Sequence, residues 1–450
     1  MNPGTPVQPV PIGSLRWWLC GLLFAATALS FLDRQVLSVL APVISKQLGM
    51  SSPEYARVTT AFLLSYAVMF LVGGRVLDFV GTRLGLALSV GIWSLASALH
   101  AVVQNATQLG LARCLLGAGE GGCFPGAAKG VGEWFPPRER AMAMGVAIGG
   151  ASLGAVVAPP LTVWLAGILG WRWVFVTTGL IGAIWVATWW LLSRRLSGLP
   201  PAQNSHAPLE TPPLTPRRGE EETRHLASTA TEAGESSARP TLAMLMRRLD
   251  FWGLAAVRFI VDPVFYFYMF WIPKYLSQER GASQEQIGEL SWIPFLALGI
   301  SNVAGGWGSD ALVRRGWPAL TARRMIMGVA ALLTIASSFA GQVGSVNLAL
   351  GMMALLMFAH GFWVTNYVTL ISERFPQGAV GTVMGFSGAI GAVGGMLANL
   401  AIGSIVDRFS YGPVWLVSGC MYPLAFGVLL LTIKAQTAST HASAKGGLKP

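Results

Sequence analysis

Residues 375–406 read FPQGAVGTVMGFSGAIGAVGGMLANLAIGSIV, thirty-two consecutive positions without Asp, Glu, Lys or Arg. A helix needs about 20 predominantly apolar residues to cross a bilayer, so this stretch marks a membrane span. Further charge-free runs cover 17–32, 58–74, 84–112, 141–171, 173–193, 290–309, 325–372 and 409–433. Two of them are too long for one span. Residues 84–112 break at Gln104-Asn105-Ala106-Thr107, and 325–372 at Gly341-Gln342-Val343-Gly344-Ser345. Twelve helices are expected, near 16–45, 56–78, 84–104, 107–131, 139–168, 171–194, 248–278, 284–312, 322–341, 346–372, 377–406 and 411–434. The fold class is therefore an all-α integral membrane protein.

Composition agrees. Of 450 residues, 53% are hydrophobic and 11% charged, with mean hydropathy +0.56. A soluble globular chain carries about 25% charged residues. A soluble enzyme, a nucleic-acid-binding protein and a disordered chain are excluded as classes. Cys20, Cys114, Cys123 and Cys420 sit in apolar runs without CxxC spacing, as packing thiols do. The N-terminus does not read as a cleaved signal: residues 1–15 are Pro-rich and uncharged, and no A-x-A-like site follows the first apolar run.

Residues 195–247 differ from the rest. Pro200, Pro201, Pro208, Pro212, Pro213, Pro216 and Pro240 stand among Ser, Thr and Glu. Such a composition cannot bury a core and reads as a flexible linker. It divides the chain into a six-helix bundle over 1–194 and a second over 248–450. Of the 31 Lys and Arg, this segmentation puts 22 on the side of the termini and linker and six on the other. Arg34, Arg113 and Arg258 fall inside spans. The bias predicts that both termini and the linker face the cytoplasm.

The halves repeat one another. Gly74-Arg75-Val76-Leu77-Asp78 after the second helix answers Gly306-Trp307-Gly308-Ser309-Asp310 after the eighth. Glu133-Trp134-Phe135-Pro136 answers Glu373-Arg374-Phe375-Pro376, and Gly145 and Gly154 answer Gly385 and Gly394 at the same offset. Pseudo-symmetric six-helix halves are the mark of a transporter whose halves rock about a central site.

The loop Gly74-x-x-x-Asp78-x-x-Gly81-x-Arg83 resembles the signature loop of the major facilitator superfamily. A more specific stretch is Arg113-Cys-Leu-Leu-Gly117-Ala-Gly-Glu120-Gly-Gly-Cys-Phe124-Pro125-Gly126, continuing to Glu133-Trp-Phe-Pro136 and Glu139-Arg140. With Leu32-Asp33-Arg34 and Ala158-Pro159-Pro160, it resembles the anion:cation symporter branch, which includes bacterial galactonate and hexuronate transporters. Asp262-Pro263-Val-Phe-Tyr266-Phe-Tyr268-Met-Phe-Trp271-Ile-Pro273 is most similar to hexuronate members. The resemblance spans the chain except the termini and linker. It implies proton-driven import of a carboxylated sugar, a hexuronate or aldonate, across the cell inner membrane. No cofactor or metal is expected. The expected partners are the organic anion, protons and the bilayer, with the monomer as the working unit.

Charges within a bilayer are costly and are functional or paired. By helical rise, Arg34 lies about 25 Å above Trp17, while Arg113 and Glu120 lie about 9 and 20 Å below the outer end of the fourth helix. Arg34 thus sits at a depth between them. Adjacent helical residues point about 100° apart, so Asp33 and Arg34 take different partners. Arg113 and Glu120 share one face two turns apart, so each answers a charge on the first helix. A guanidinium holds a carboxylate bidentately and keeps its proton. A carboxyl group in a poorly solvated cavity is driven toward its neutral form, and neighbouring arginines drive it back. The resemblance implies that Arg34 binds the substrate carboxylate while Asp33 and Glu120 titrate. A static charge network that fixes packing remains the alternative.

Asp78 and Arg83, repeated by Asp310 and Arg314, are by resemblance gating residues on the cytoplasmic side. Besides Arg34 and Arg113, the candidate substrate contacts inside spans are Tyr66, Tyr266, Trp271, Asn302, Trp363, Asn366, Ser387 and Asn399. Aromatic residues in spans also pack or belt the interface. Arg258 and Asp262, four apart, read as an intrahelical pair. His100 and His360 read as packing residues. One departure stands out: the position four after Tyr66, commonly Gln in the family, is Phe70, which removes a hydrogen-bonding partner. An exchanger of other organic anions is the second reading. Ala158-Pro159-Pro160 in place of a Gly-Pro-x-x-Gly-Gly run counts against it. A membrane enzyme would want a nucleophile–base pair or metal cluster, and no HExxH or P-loop occurs.

Overall fold

The computed structural model describes residues 12–135, 137–194 and 242–434. Most of the 195–247 linker and both terminal tails lie outside these residues. Among the described residues every regular element is a helix, and none is a strand. In chain order the helices are α1 (Ile12–Gln47), α2 (Ser52–Val80), α3 (Thr82–Leu99), α4 (Ala106–Glu120), α5 (Cys123–Trp134), α6 (Pro137–Leu169) and α7 (Trp171–Arg194). After the linker come α8 (Leu242–Leu245), α9 (Leu249–Arg280), α10 (Gln284–Leu290), α11 (Ile293–Arg314), α12 (Ala319–Thr334), α13 (Val346–Arg374), α14 (Gln377–Phe409) and α15 (Gly412–Thr432).

Among the described residues, eleven helical segments are long and apolar enough to span a membrane. The expected span over 107–131 is not one helix. It is α4 and α5, interrupted at Gly121-Gly122. Each glycine in a helix interior costs about 1 kcal/mol relative to alanine. Packing requires them here. A Cβ on Gly121 would come within 2.7 Å of Met69 Cβ and 2.9 Å of the Tyr66 carbonyl, and one on Gly122 within 2.8 Å of Ser89 Oγ. The expected helix over 284–312 is likewise interrupted, at Ser291-Trp292, just ahead of Pro294. Large apolar side chains such as Leu180, Ile184, Leu191 and Val303 point outward at more than half exposure, as a lipid-facing surface requires.

Local signals set the element ends. Ser51 and Glu54 form a reciprocal capping box at the start of α2. Gly81 alone separates α2 from α3, with φ +82°, a conformation that glycine adopts without steric cost.

The repeat is visible in the packing. α1 lies against α6 and α9 against α14, while α2 lies against α4 and α11 against α13. A Cβ on Gly154 would collide with the Ala28 carbonyl of α1, and one on Gly394 with the Phe259 carbonyl of α9. These two glycines, 240 positions apart, permit the same close backbone approach in each half.

Candidate functional site

The interruption after Glu120 sits where the charges gather. Arg34 Nε donates to Glu120 Oε2 at 2.6 Å, and Ser30 Oγ donates to the same oxygen at 2.8 Å. Arg34 is 5% exposed and Glu120 0%. The Arg34 guanidinium carbon lies 4.9 Å from the ring centre of Phe31, 5.4 Å from Phe62 and 4.4 Å from Tyr66. Such ring faces stabilise a partly desolvated cation. Arg34 Nη2 and Glu120 Oε1 are buried and have no hydrogen-bond partner among the described residues. The ion pair thus leaves a buried donor nitrogen and a buried acceptor oxygen unused.

The second pairing is looser. Arg113 Nη1 reaches the backbone carbonyl of Asp33 at 3.5 Å, not its carboxylate. Asp33 Oδ1 accepts from Ser97 at 3.2 Å, and Oδ2 is buried without a partner. Ser30 and Ser97, which tie these carboxylates to α1 and α3, were not signalled by the sequence. A lone serine in an apolar run is indistinguishable there from one bonding its own helix.

The signature-loop residues take partners from other helices. Asp78 pairs with Lys129 of α5 at 2.7 Å, and Lys129 also donates to the Leu77 carbonyl. Arg83 lies over Trp190 at 4.4 Å. In the other half Asp310 pairs with Arg323, which also binds Glu373, whereas Arg314 is exposed. Lys129 and Arg323 approach these acids from separate helices, α5 and α12, which loop spacing cannot reveal.

The other candidates divide. Tyr66 lies beside Arg34, and its ring lies 5.8 Å from Phe70. Tyr66 also stacks on Phe62 at 5.7 Å; Phe62 meets Phe270 of α9 at 6.4 Å, and Phe270 stacks on Tyr266 at 6.0 Å. An aromatic line therefore joins Arg34 to the second half. Trp271 and Asn399 are elsewhere employed. Trp271 Nε1 donates to Asn399 Oδ1 at 2.6 Å, and Asn399 Nδ2 donates to Ala56 O and Thr60 Oγ1 at 3.1 Å and also to Thr59. Asn302 accepts from Thr365, Asn366 donates to the carbonyls of Gly305 and Phe362, and Ser387 donates to Met384 O. Trp363 meets Tyr422 edge to face. These four are placed within the second half, with no contact to Arg34. Arg258 and Asp262 form the intrahelical pair at 2.8 Å. His100 bonds the Ala96 carbonyl and His360 the Tyr422 hydroxyl.

Among the described residues, the hydrogen bonds that join the two halves are confined to the end bearing the 47–52 and 280–284 turns. Tyr55 Oη donates to Phe270 O at 2.6 Å, Lys274 Nζ to Ser52 Oγ at 3.0 Å and Gln284 Nε2 to Val39 O at 2.8 Å, beside the Asn399 bonds. At the opposite end each ion pair stays within its own half. The halves are therefore latched at one end. Two apolar hollows, of about 550 Å³ beside Pro160, Trp164 and Trp292 and about 490 Å³ beside Arg324, Pro423 and Phe426, lie at the periphery, away from Arg34.

Comparison with known proteins shows the family of the chain. The family model described as Major Facilitator Superfamily matches residues 23–399. The hexuronate transporter of Escherichia coli K12 is 28% identical over 412 residues, covering 90% of this chain and 91% of that one. The D-galactonate transporter of Escherichia coli O6:H1 is 27% identical, covering 91% and 93%. The galacturonate transporter of Dickeya chrysanthemi is 29% identical, covering 76% and 96%. Among solved structures, a bacterial homolog of the human lysosomal transporter Spinster, inward-facing and unoccupied, superposes with TM-score 0.68 at 20% identity. That match covers 96% of this chain and all of that one.

Proposed function

The chain belongs to the Major Facilitator Superfamily, and from that premise we propose that it imports a sugar acid, a hexuronate or aldonate, together with protons. The carrying observation is Arg34: buried, ringed by aromatic side chains, bonded to Glu120 through Nε alone and holding Nη2 buried and unused. A carboxylate arriving there completes the guanidinium fork. The relatives, named for hexuronate, galactonate and galacturonate transport, support the substrate class. The measurement is uptake of labelled galacturonate and galactonate into proteoliposomes, with and without an imposed pH gradient. Accumulation only with the acidic side outside is expected; uptake indifferent to the gradient refutes proton coupling.

The working unit in this reading is a monomer of two halves, 1–194 and 248–450, in the inner membrane. Both termini and the 195–247 linker face the cytoplasm. The latched end is then external, and the site opens inward. Reporter fusions test this orientation. A fusion within 200–240 should report from the cytoplasm; a periplasmic signal overturns the assignment and inverts the latch.

A further inference from the structure

Lys274 belongs to no charge cluster yet is 2% exposed. It lies within α9, six residues before its end, and so about 9 Å inside the latched face; Arg34 is thirteen residues before the end of α1, about 20 Å inside. Among the described residues no carboxylate forms an ion pair with Lys274; the acidic charge that acts on it is the exposed Asp407 of α14, in the same half. Its ammonium donates to Ser52 Oγ at 3.0 Å and lies 5.1 Å from the ring centre of Tyr55 and 5.3 Å from that of Trp271. An ammonium has three donors, and burying it with no carboxylate in direct contact is costly.

The partners divide between the halves. Ser52 and Tyr55 belong to α2, while Trp271 and Asn399 belong to the second half with Lys274. Rocking the halves apart at this end removes Ser52 and Tyr55 and hydrates the ammonium. What stays together is a cation, an indole face and a carboxamide. A sugar acid presents the matching groups: a carboxylate, a C–H face and hydroxyls. In the closed seam each of the three is occupied by the latch, so the same atoms serve closure in one state and are free in the other.

We propose that Lys274 is a second carboxylate-binding residue, open to the external medium when the seam parts. There it captures the substrate anion before Arg34 does, with Trp271 as the platform for the sugar. The proposal rests on the import reading above.

The test is sidedness. Uptake kinetics are measured in right-side-out and inside-out vesicles for wild type, K274R, K274M and K274Q. K274M should raise the KM for external substrate about tenfold, the scale of one lost charge-assisted hydrogen bond, and K274R should recover most of it. The KM from the cytoplasmic face should stay within about twofold, because the closed seam withholds residue 274 from that face. K274Q keeps a donor for Ser52 but not the charge, so it should share the external defect even if K274M does not fold. A latch alone predicts the opposite sign: loosening it raises the outward-open population and lowers the external KM. An external KM that is unchanged or lowered in both K274M and K274Q overturns the proposal. Absence of sugar-acid uptake by the wild type instead overturns the import reading, and this proposal with it.

Discussion

Arg34→Lys is expected to weaken sugar-acid binding about thirtyfold although the formal charge is kept, the equivalent of about 2 kcal/mol of charge-assisted hydrogen bonding. Geometry carries the argument. Arg34 uses Nε for Glu120 and holds Nη2 in reserve. Only a planar fork can face a carboxylate with one nitrogen while another is engaged. Its plane is also held among Phe31, Phe62 and Tyr66. An ammonium is a compact, strongly hydrated point charge, and it fills that aromatic cage poorly. Titration calorimetry on purified protein measures the effect, and a thermal melt shows whether the variant is folded. A folded lysine variant that binds as tightly as wild type makes Arg34 a packing residue.

What could be read from the sequence follows from what is local. The spans are set by charge-free length, and the site helices announce themselves because a charge in an apolar run is conspicuous. Arg34, Asp33, Arg113 and Glu120 were all legible for that reason, and rise per residue placed Arg34 at a depth between Arg113 and Glu120; its pairing with Glu120 is a finding of the structure. Other features depend on contacts between elements distant in sequence. Asp78 meets Lys129 rather than Arg83, and Asp310 meets Arg323 rather than Arg314, because the partner arrives on a separate helix. Trp271 and Asn399 carry no mark of their place in the seam, which forms only where α2 meets α9 and α14. Lys274 counts as an outer-side cation in a tally of charges, and only the fold shows it buried against Ser52. The interruption at Gly121-Gly122 was visible as glycines but not as a break. Glycine in a span permits close helix packing as readily as it ends a helix, and here it does both.

Glu120→Gln is expected to separate binding from coupling. Glu120 closes α4 at the interruption, accepting from Arg34 and Ser30 through Oε2 while Oε1 is buried without a partner. An ionised carboxylate in that position holds Arg34 against the incoming substrate. A proton on Oε1 removes the charge, loosens the pair and frees the guanidinium for the substrate carboxylate. In the proposed symport, departure of the substrate toward a less acidic cytoplasm returns Arg34 to Glu120 and releases the proton. The glutamine is a permanent copy of the protonated form. It should therefore bind substrate at least as well as wild type and exchange it across the membrane, yet lose accumulation against a gradient almost entirely. In the same proposal Asp33, whose Oδ2 has no partner among the described residues, shares the proton with Glu120 as a coupled pair. Proteoliposomes decide the matter by counterflow beside uptake driven by an imposed pH gradient. Loss of both activities would mark Glu120 as structural. Undiminished gradient-driven accumulation would remove it from the mechanism and leave Asp33 as the proton carrier.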